Sequence, residues 1–156
     1  MEKYYTPQRL RRIRKSKNYS QLLDIALEIL EEIKDDNGPR PVAMVFGPIS
    51  TGGKGSRAEN LKIFSRAIDR LRKGGSLVFS QMPFENDMLR IFKSDPKLQG
   101  MVLLEEFYLP IFSSGAIELM CFLPSWKSSI GANWEHRQAE KLKIPIIYLS
   151  DFYTND

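Results

Sequence analysis

One segment near the C-terminus places a glutamate, Glu135, where it can act as a nucleophile. Residues 123–135 read LPSWKSSIGANWE, and an apolar run comes directly before them. A helix that starts near the serines of this segment carries Glu135 one to two turns from its beginning. In a small, partly apolar pocket beside Trp126 or Trp134, such a carboxylate can attack an anomeric carbon. The ordinary alternative for Glu135 is a surface glutamate on a solvated helix.

The same segment carries groups that suit an oxygen-rich ligand. Ser128 and Ser129 are good N-cap residues, and their hydroxyls, with the first free N–H groups of a helix, can bind a phosphate or sugar oxygen. Gly131 lets a ligand approach closely because it has no side chain. The segment therefore predicts a binding site at a strand-loop-helix junction, with Trp126, Ser129 and Gly131 among its contacts.

A glycine-rich loop earlier in the chain is the second candidate binding segment. Residues 47–57 read GPISTGGKGSR and follow a short apolar run. Glycines let the backbone approach an anion, and a following helix N-terminus adds favourable electrostatics. The glycines Gly47, Gly52 and Gly53 are candidate ligand contacts, together with Arg57 at the end of the loop. The pattern GxxxxGK[ST] fails, because Gly53 occupies its lysine position and Gly55 follows Lys54, so we exclude an NTPase of that type. A flexible turn without a ligand is the remaining alternative.

Three other acids are candidates for the proton donor that glycosidic cleavage requires. The retaining route places this donor about 5–5.5 Å from the nucleophile. Glu85, Asp87 and Glu118 are the candidates, and each has an ordinary alternative as a loop or strand-end acid. The sequence does not choose among them.

The single histidine and the single cysteine carry weaker signals. His136 follows Glu135 directly, so the two side chains point about 100° apart on a helix. We expect His136 to be exposed or partly packed rather than a general base. Cys121 lies in an apolar run and is predicted to be an inert core thiol. No group of Cys, His and acidic residues has metal-ligand spacing, so we predict no metal and no cofactor.

The elements that position these segments alternate along the chain. Apolar residues at helical spacing predict an amphipathic helix over residues 20–34 with Ser20 as its N-cap, and residues 81–99 are predicted to be mostly loop around a short helix. The other predicted elements are strands at residues 41–46, 76–79, 117–123 and 145–149, and helices around residues 61–71 and 129–142. Such alternation predicts a three-layer α/β fold of the flavodoxin or Rossmann type, with a doubly wound parallel sheet of about four to five strands and an extra N-terminal helix. Ligands bind beyond the carboxyl ends of such strands, where loops at residues 47–57, 81–87 and 124–129 converge.

Length and composition fit one domain. The chain has 156 residues, 42% of them hydrophobic and 27% charged, with a net charge of +4. We expect residues 1–38 to form a basic arm with an amphipathic helix and residues 39–156 to form the α/β domain. The absence of a secretory signal, of a long apolar run and of a second cysteine predicts a cytoplasmic protein that does not enter a membrane. The arm is expected to be a solvated tail or an oligomer contact, and nucleic acid is an improbable partner.

Together the two candidate segments resemble the nucleoside 2-deoxyribosyltransferase superfamily, which includes the 2′-deoxynucleoside 5′-phosphate N-hydrolases. The early motif is Gly-Pro-Ile-Ser-x-Gly-Gly at 47–53, and the more specific late motif is Leu-Pro-x-Trp-x-x-Ser-x-Gly-Ala-x-x-Glu-x-x-x-Ala at 123–139. The resemblance spans residues 41–149. It implies Glu135 as the glycosyl-accepting nucleophile and Ser129 and Gly131 as contacts to the 5′ side of the substrate. In the early loop it implies a cradle for sugar or phosphate, formed by Gly47, Ile49, Ser50 and Gly52.

This chain departs from the family at two aspartates. One usually precedes the Leu-Pro loop by about a dozen residues, where residues 108–112 read YLPIF, and the other is matched only by Glu118. The resemblance predicts N-glycosidic bond cleavage or transfer on a nucleoside or nucleotide. The two departures favour the alternative, a catalytically inactive nucleotide-binding or sensing module. The resemblance also implies a homodimer or larger homo-oligomer. Candidates for its interface or for the pocket rim are the aromatic residues Tyr4, Tyr5, Phe107, Tyr108 and Phe112, with core packing as their alternative.

Overall fold

A computed structural model describes residues 1–98 and 100–156 of the chain. Its strands are β1 (Val42–Phe46), β2 (Leu77–Val78), β3 (Leu119–Phe122) and β4 (Ile146–Tyr148). Its helices are α1 (Pro7–Lys15), α2 (Tyr19–Asn37), α3 (Arg57–Lys73), α4 (Glu85–Ser94), α5 (Gly100–Leu103), α6 (Leu109–Ser113) and α7 (Ile130–Leu142), and a π-helical turn, Leu104–Tyr108, joins α5 to α6. The residues fall into two compact units, one of residues 1–40 with 81–116 and one of residues 41–80 with 117–156.

The second unit is built on a sheet whose strands, in the described residues, number four and are all parallel. Their order is β2-β1-β3-β4, which confirms the predicted α/β fold with a parallel sheet of the flavodoxin or Rossmann type. All five residues of β1 are buried, as expected for a central strand covered on both faces. The chain moves from β1 to β2 in one direction across the sheet and from β3 to β4 in the other. Right-handed crossovers therefore place α3 and α7 on opposite faces, and the switch point lies between β1 and β3.

The first unit gives the basic arm a folded structure. Helix α1 pairs with α2 through two arginines: Arg9 lies 2.6 Å from Glu32, and Arg12 binds both carboxylate oxygens of Glu28 at 2.6 and 2.9 Å. The two helices run antiparallel, because the later arginine, Arg12, pairs with the earlier glutamate, Glu28. The expectation of a solvated tail is thus wrong for α1, whose buried Ile13 also packs into the core.

The N-cap of helix α2 lies two residues earlier than its sequence pattern predicts. Asn18, rather than Ser20, is the N-cap, and its side-chain oxygen accepts a hydrogen bond from the N–H of Gln21 at 2.9 Å. Asparagine is as good a cap as serine, and Tyr19 can then enter the helix with its ring in the core. Leu22, Ile29 and Ile33 of α2 are fully buried, while Leu23 and Leu27 of the predicted apolar stripe are half-buried.

The segment predicted to be mostly loop is largely helical. Helix α4 occupies residues 85–94, and Met88 and Ile91 bury its apolar face. The short helix predicted within this segment is therefore present, and burial of its apolar face stabilises it over ten residues.

Most of the aromatic residues that were candidates for an interface are core residues of the first unit. Phe107 stacks on Tyr108 with ring centroids 5.0 Å apart, and Tyr108 also packs against Phe112. These three rings and Tyr4 are buried, while Tyr5 is half-buried. The packing alternative is therefore correct for the four buried rings. A search of the described helices for one both long and apolar enough to cross a bilayer finds none.

Candidate functional site

The two candidate loops meet at the switch point between β1 and β3. The N–H of Gly53 donates to the hydroxyl of Ser128 at 2.8 Å, and the N–H of Ile130 donates to the hydroxyl of Thr51 at 3.1 Å. Residues more than seventy positions apart thus hold the glycine-rich loop against the first turn of α7. The sequence predicted convergence of these loops from topology, and the structure brings them together.

Asn60 holds the glycine-rich loop through side-chain hydrogen bonds, and the sequence analysis did not identify it. Its side chain lies on α3, is 3% exposed, and donates to the carbonyls of Ile49 at 3.0 Å and Gly52 at 3.2 Å. Its oxygen accepts from the N–H of Lys54 at 3.0 Å. A buried amide one turn into the helix after a glycine-rich loop is the signal that would have pointed to it, because such an amide must find polar partners.

The loop glycines are required by geometry at two places. Gly52 has φ +71°, and a Cβ there would overlap the backbone of Ser128. Gly47 is buried, and a Cβ on it would lie 2.6 Å from the side chain of Leu123. Both glycines therefore let the loops after β1 and β3 approach each other.

The N-terminus of α7 is only partly available to a ligand. Ser129 is the N-cap, as predicted, and its hydroxyl accepts from the N–H of Ala132 at 3.1 Å. The Thr51 hydroxyl accepts a hydrogen bond from the N–H of Ile130. Among the described residues of this first turn, only Gly131 therefore has an N–H with no acceptor within the protein.

Glu135 reaches back toward this open position. It is 7% exposed, and its Oε1 lies 3.8 Å from the point that a Cβ on Gly131 would occupy. Side chains on a helix lean toward its N-terminus, which explains why a residue four positions later covers Gly131. The surface-glutamate alternative is wrong, because the Glu135 side chain is buried near Gly131 at the junction of two loops.

The glycine-rich loop offers a further run of donors. The N–H groups of Gly53, Lys54 and Gly55 are used within the protein. Within residues 1–98 and 100–156, the N–H groups of residues 49–52 have no such acceptor. Successive free N–H groups in a loop favour binding of an anion or of electronegative oxygens.

The remaining predicted contacts are less uniform. Ser50 is exposed on the loop, and Arg57 is half-buried in the first turn of α3. Trp126, in a one-turn 3₁₀ helix, stacks on His136 with ring centroids 4.2 Å apart. One face of its ring is thus covered by a neighbour within the same unit.

The structure does not bring Glu118 to these loops. Its N–H pairs with the carbonyl of Val42, the first residue of β1, so Glu118 stands at the amino end of the sheet. It lies four positions before Phe122, about 13 Å along a strand, and this distance exceeds the reach of a glutamate side chain.

Glu85 and Asp87 belong to the other compact unit, on α4. Glu85 is buried, and Asp87 is paired with Arg90 at 2.9 Å. Arg90 also donates to the carbonyl of Arg14 at 3.0 Å, so this ion pair ties α4 to the end of α1.

Cys121 is an inert core thiol, as expected. It lies in β3, and burial raises its pKa to about 11. A thiol with such a pKa holds almost no thiolate at neutral pH and is a poor nucleophile.

A cavity of about 430 Å³ flanks the outer side of the glycine-rich loop, but Glu135 does not line it. Its walls carry Lys54, Lys62 and Arg66 together with acids of the C-terminal segment, among them Asp156, which lies 2.7 Å from Arg66. We place the candidate site at Glu135 rather than here, because the cavity lacks a buried carboxylate and its arginine is already paired. A search of the described residues finds no group of three metal-ligating side chains.

Comparison with known proteins adds no relative: no family model, no curated protein and no solved structure matches the chain.

Proposed function

We propose that the chain cleaves or transfers the N-glycosidic bond of a nucleoside or nucleotide, with Glu135 as the nucleophile. This is the chemistry of the deoxyribosyltransferase superfamily that the two motifs resemble. The observation that carries the proposal is the buried Glu135 carboxylate, which lies over Gly131 where the loops after β1 and β3 meet. A carboxylate removed from water and placed at a switch point suits a reacting group.

In the proposed reaction, a Glu135 oxygen attacks C1′ while the bond from C1′ to the base nitrogen breaks. The base leaves with the bonding electrons and takes a proton from an acid, and water or a second base then attacks C1′ to release Glu135. The free N–H groups of residues 49–52 and of Gly131 would hold sugar or phosphate oxygens during both steps. The candidates Glu85 and Asp87 belong to the other compact unit, so the identity of the proton donor stays a prediction from the sequence.

Chromatography for free base, with a panel of ribo- and deoxyribonucleosides and their 5′-monophosphates, tests this proposal. We expect wild-type protein to release base from at least one substrate and Glu135→Gln to lower that rate roughly 10⁴-fold or more. Glu31→Gln on α2 removes an exposed carboxylate and serves as the matched control. Base release by Glu135→Gln at the wild-type rate would refute the proposal.

The second candidate function is nucleotide binding without turnover. The position of Glu118 favours this second function. Glu118 lies in the same unit as Glu135 but at the amino end of the sheet, so none of the other predicted acids in that unit lies beside Glu135. Calorimetry separates the two functions: binding of a monophosphate with no base release after long incubation supports a sensor, and any Glu135-dependent release excludes it.

We further propose a homo-oligomer in a reducing, cytoplasmic setting, on the basis of the family resemblance and of the single, buried Cys121. Light scattering at micromolar concentration tests the assembly. A mass near 18.0 kDa, that of one chain, would contradict it.

A further inference from the structure

Three side chains on the surface of the second unit form a hydrogen-bonded relay that the proposed function does not use. The Tyr148 hydroxyl lies 2.7 Å from Nε2 of His136, and Nδ1 of His136 lies 3.0 Å from a carboxylate oxygen of Glu140. Tyr148 ends β4, while His136 and Glu140 lie one turn apart on α7. We call these residues the Tyr148 relay.

The partners of His136 fix its proton. An ionised carboxylate only accepts hydrogen bonds, so Nδ1 must carry the hydrogen that Glu140 accepts. In the neutral imidazole Nε2 is then an acceptor, and the Tyr148 hydroxyl donates to it. This order, a hydroxyl nucleophile on a base that a carboxylate orients, is the arrangement that activates nucleophiles in covalent catalysis.

Aromatic packing holds the base in place. The His136 ring stacks on Trp126 at an interplanar angle of 9° and meets the edge of Phe122 at a centroid distance of 5.0 Å. The His136 side chain is only 14% exposed. Tyr148, by contrast, is 60% exposed and can be reached by a reagent from solution.

The relay is separate from the carboxylate of the proposed function. His136 and Glu135 are consecutive on α7, so their side chains point about 100° apart around the helix axis. His136 therefore contacts Tyr148 rather than Glu135.

We propose that Tyr148 is a second nucleophile of this protein and accepts an acyl group from a small activated aryl ester. The phenol oxygen attacks the acyl carbon, the bond from that carbon to the aryl oxygen breaks, and an aryloxide leaves. The Tyr148 proton passes to Nε2 of His136, and Glu140 stabilises the resulting imidazolium. Trp126, whose ring centroid is 6.1 Å from that of Tyr148, borders the approach and suits an aromatic leaving group.

Limited acetylation with p-nitrophenyl acetate, read by peptide mapping in a mass spectrometer, tests this assignment. We expect Tyr148 to be acetylated roughly 100-fold faster than the half-buried Tyr153, the lower end of what a positioned base contributes. His136→Gln should remove the difference and Glu140→Gln should reduce it, while Arg137→Gln, an exposed change on the same helix, should leave it intact.

Equal acetylation of Tyr148 and Tyr153 in the wild-type protein would overturn the assignment without any variant. It would also be overturned if Tyr148 kept its full rate in His136→Gln, provided that circular dichroism shows that variant to be folded. If His136→Gln does not fold, an unchanged rate in Glu140→Gln, whose side chain is 63% exposed, overturns the relay.

Discussion

Asn60 gives the sharpest prediction about the architecture of the site. Replacing Asn60 with alanine removes its hydrogen bonds to Ile49, Gly52 and Lys54 and leaves three loop groups without partners. Each such bond contributes about 1 kcal/mol, so the variant should lose roughly 3 kcal/mol of stability. In a chain of this size, 1 kcal/mol shifts Tm by about 2–4 °C, so Tm should fall by about 6–12 °C.

Thermal unfolding followed by circular dichroism measures this loss, with Asn86→Ala on the exposed face of α4 as the matched control. The control should change the free energy of unfolding by no more than about 0.5 kcal/mol. If Asn60→Ala unfolded within about 2 °C of that control, the three hydrogen bonds would not hold the loop, and the reasoning from buried polar groups would fail.

Three further predictions concern the loop, the core thiol and the surface ion pairs. Gly55→Ala should lower the free energy of unfolding by about 1–2 kcal/mol, because φ is +76° there and no neighbouring atom lies near the added Cβ. Gly52→Ala should lower it by at least twice as much, because the added Cβ also overlaps Ser128. Equal losses in chemical denaturation would refute this. Cys121 should react with a disulfide reagent at pH 7 only after unfolding, and fast reaction of the native protein would contradict its burial. Hydrogen bonding to Arg12 holds the pKa of Glu28 below its ordinary value of 4.5, so the stability that this ion pair contributes is complete above pH 4.5 and is lost as pH falls through the lowered pKa. The Tm of Glu28→Gln should therefore fall less steeply on acidification than that of the wild type. Identical acid profiles of the two proteins would exclude this contribution.

Much of the second unit could be predicted from local pattern. The apolar run at β1, bounded by breakers, and the serine at position 129 before α7 are signals that the backbone obeys directly. The order of elements then fixed which loops converge, because parallel strands leave their carboxyl ends at one edge. For this reason the meeting of the 47–57 loop with the start of α7 was predictable.

What pattern could not reveal depends on contacts between distant residues. The role of Asn60 arises from carbonyls that point at it only after the loop has folded. Glu118 was a candidate because the family resemblance matches it to an aspartate at the start of the strand, and the strand register places that position at the amino end of the sheet, away from the loops. The salt-bridged pairing of α1 with α2 likewise turned an apparent basic tail into a packed helix, since the partner acids lie sixteen or more residues away.

The proposed reaction requires a covalent intermediate on Glu135, which rapid quenching followed by peptide mass spectrometry can detect. With a substrate from which the protein releases base, we expect a mass increase equal to the sugar or sugar phosphate, confined to the peptide that contains Glu135 and absent from Glu135→Gln. Base release accompanied by an adduct on another residue would contradict the assignment of Glu135 as the nucleophile.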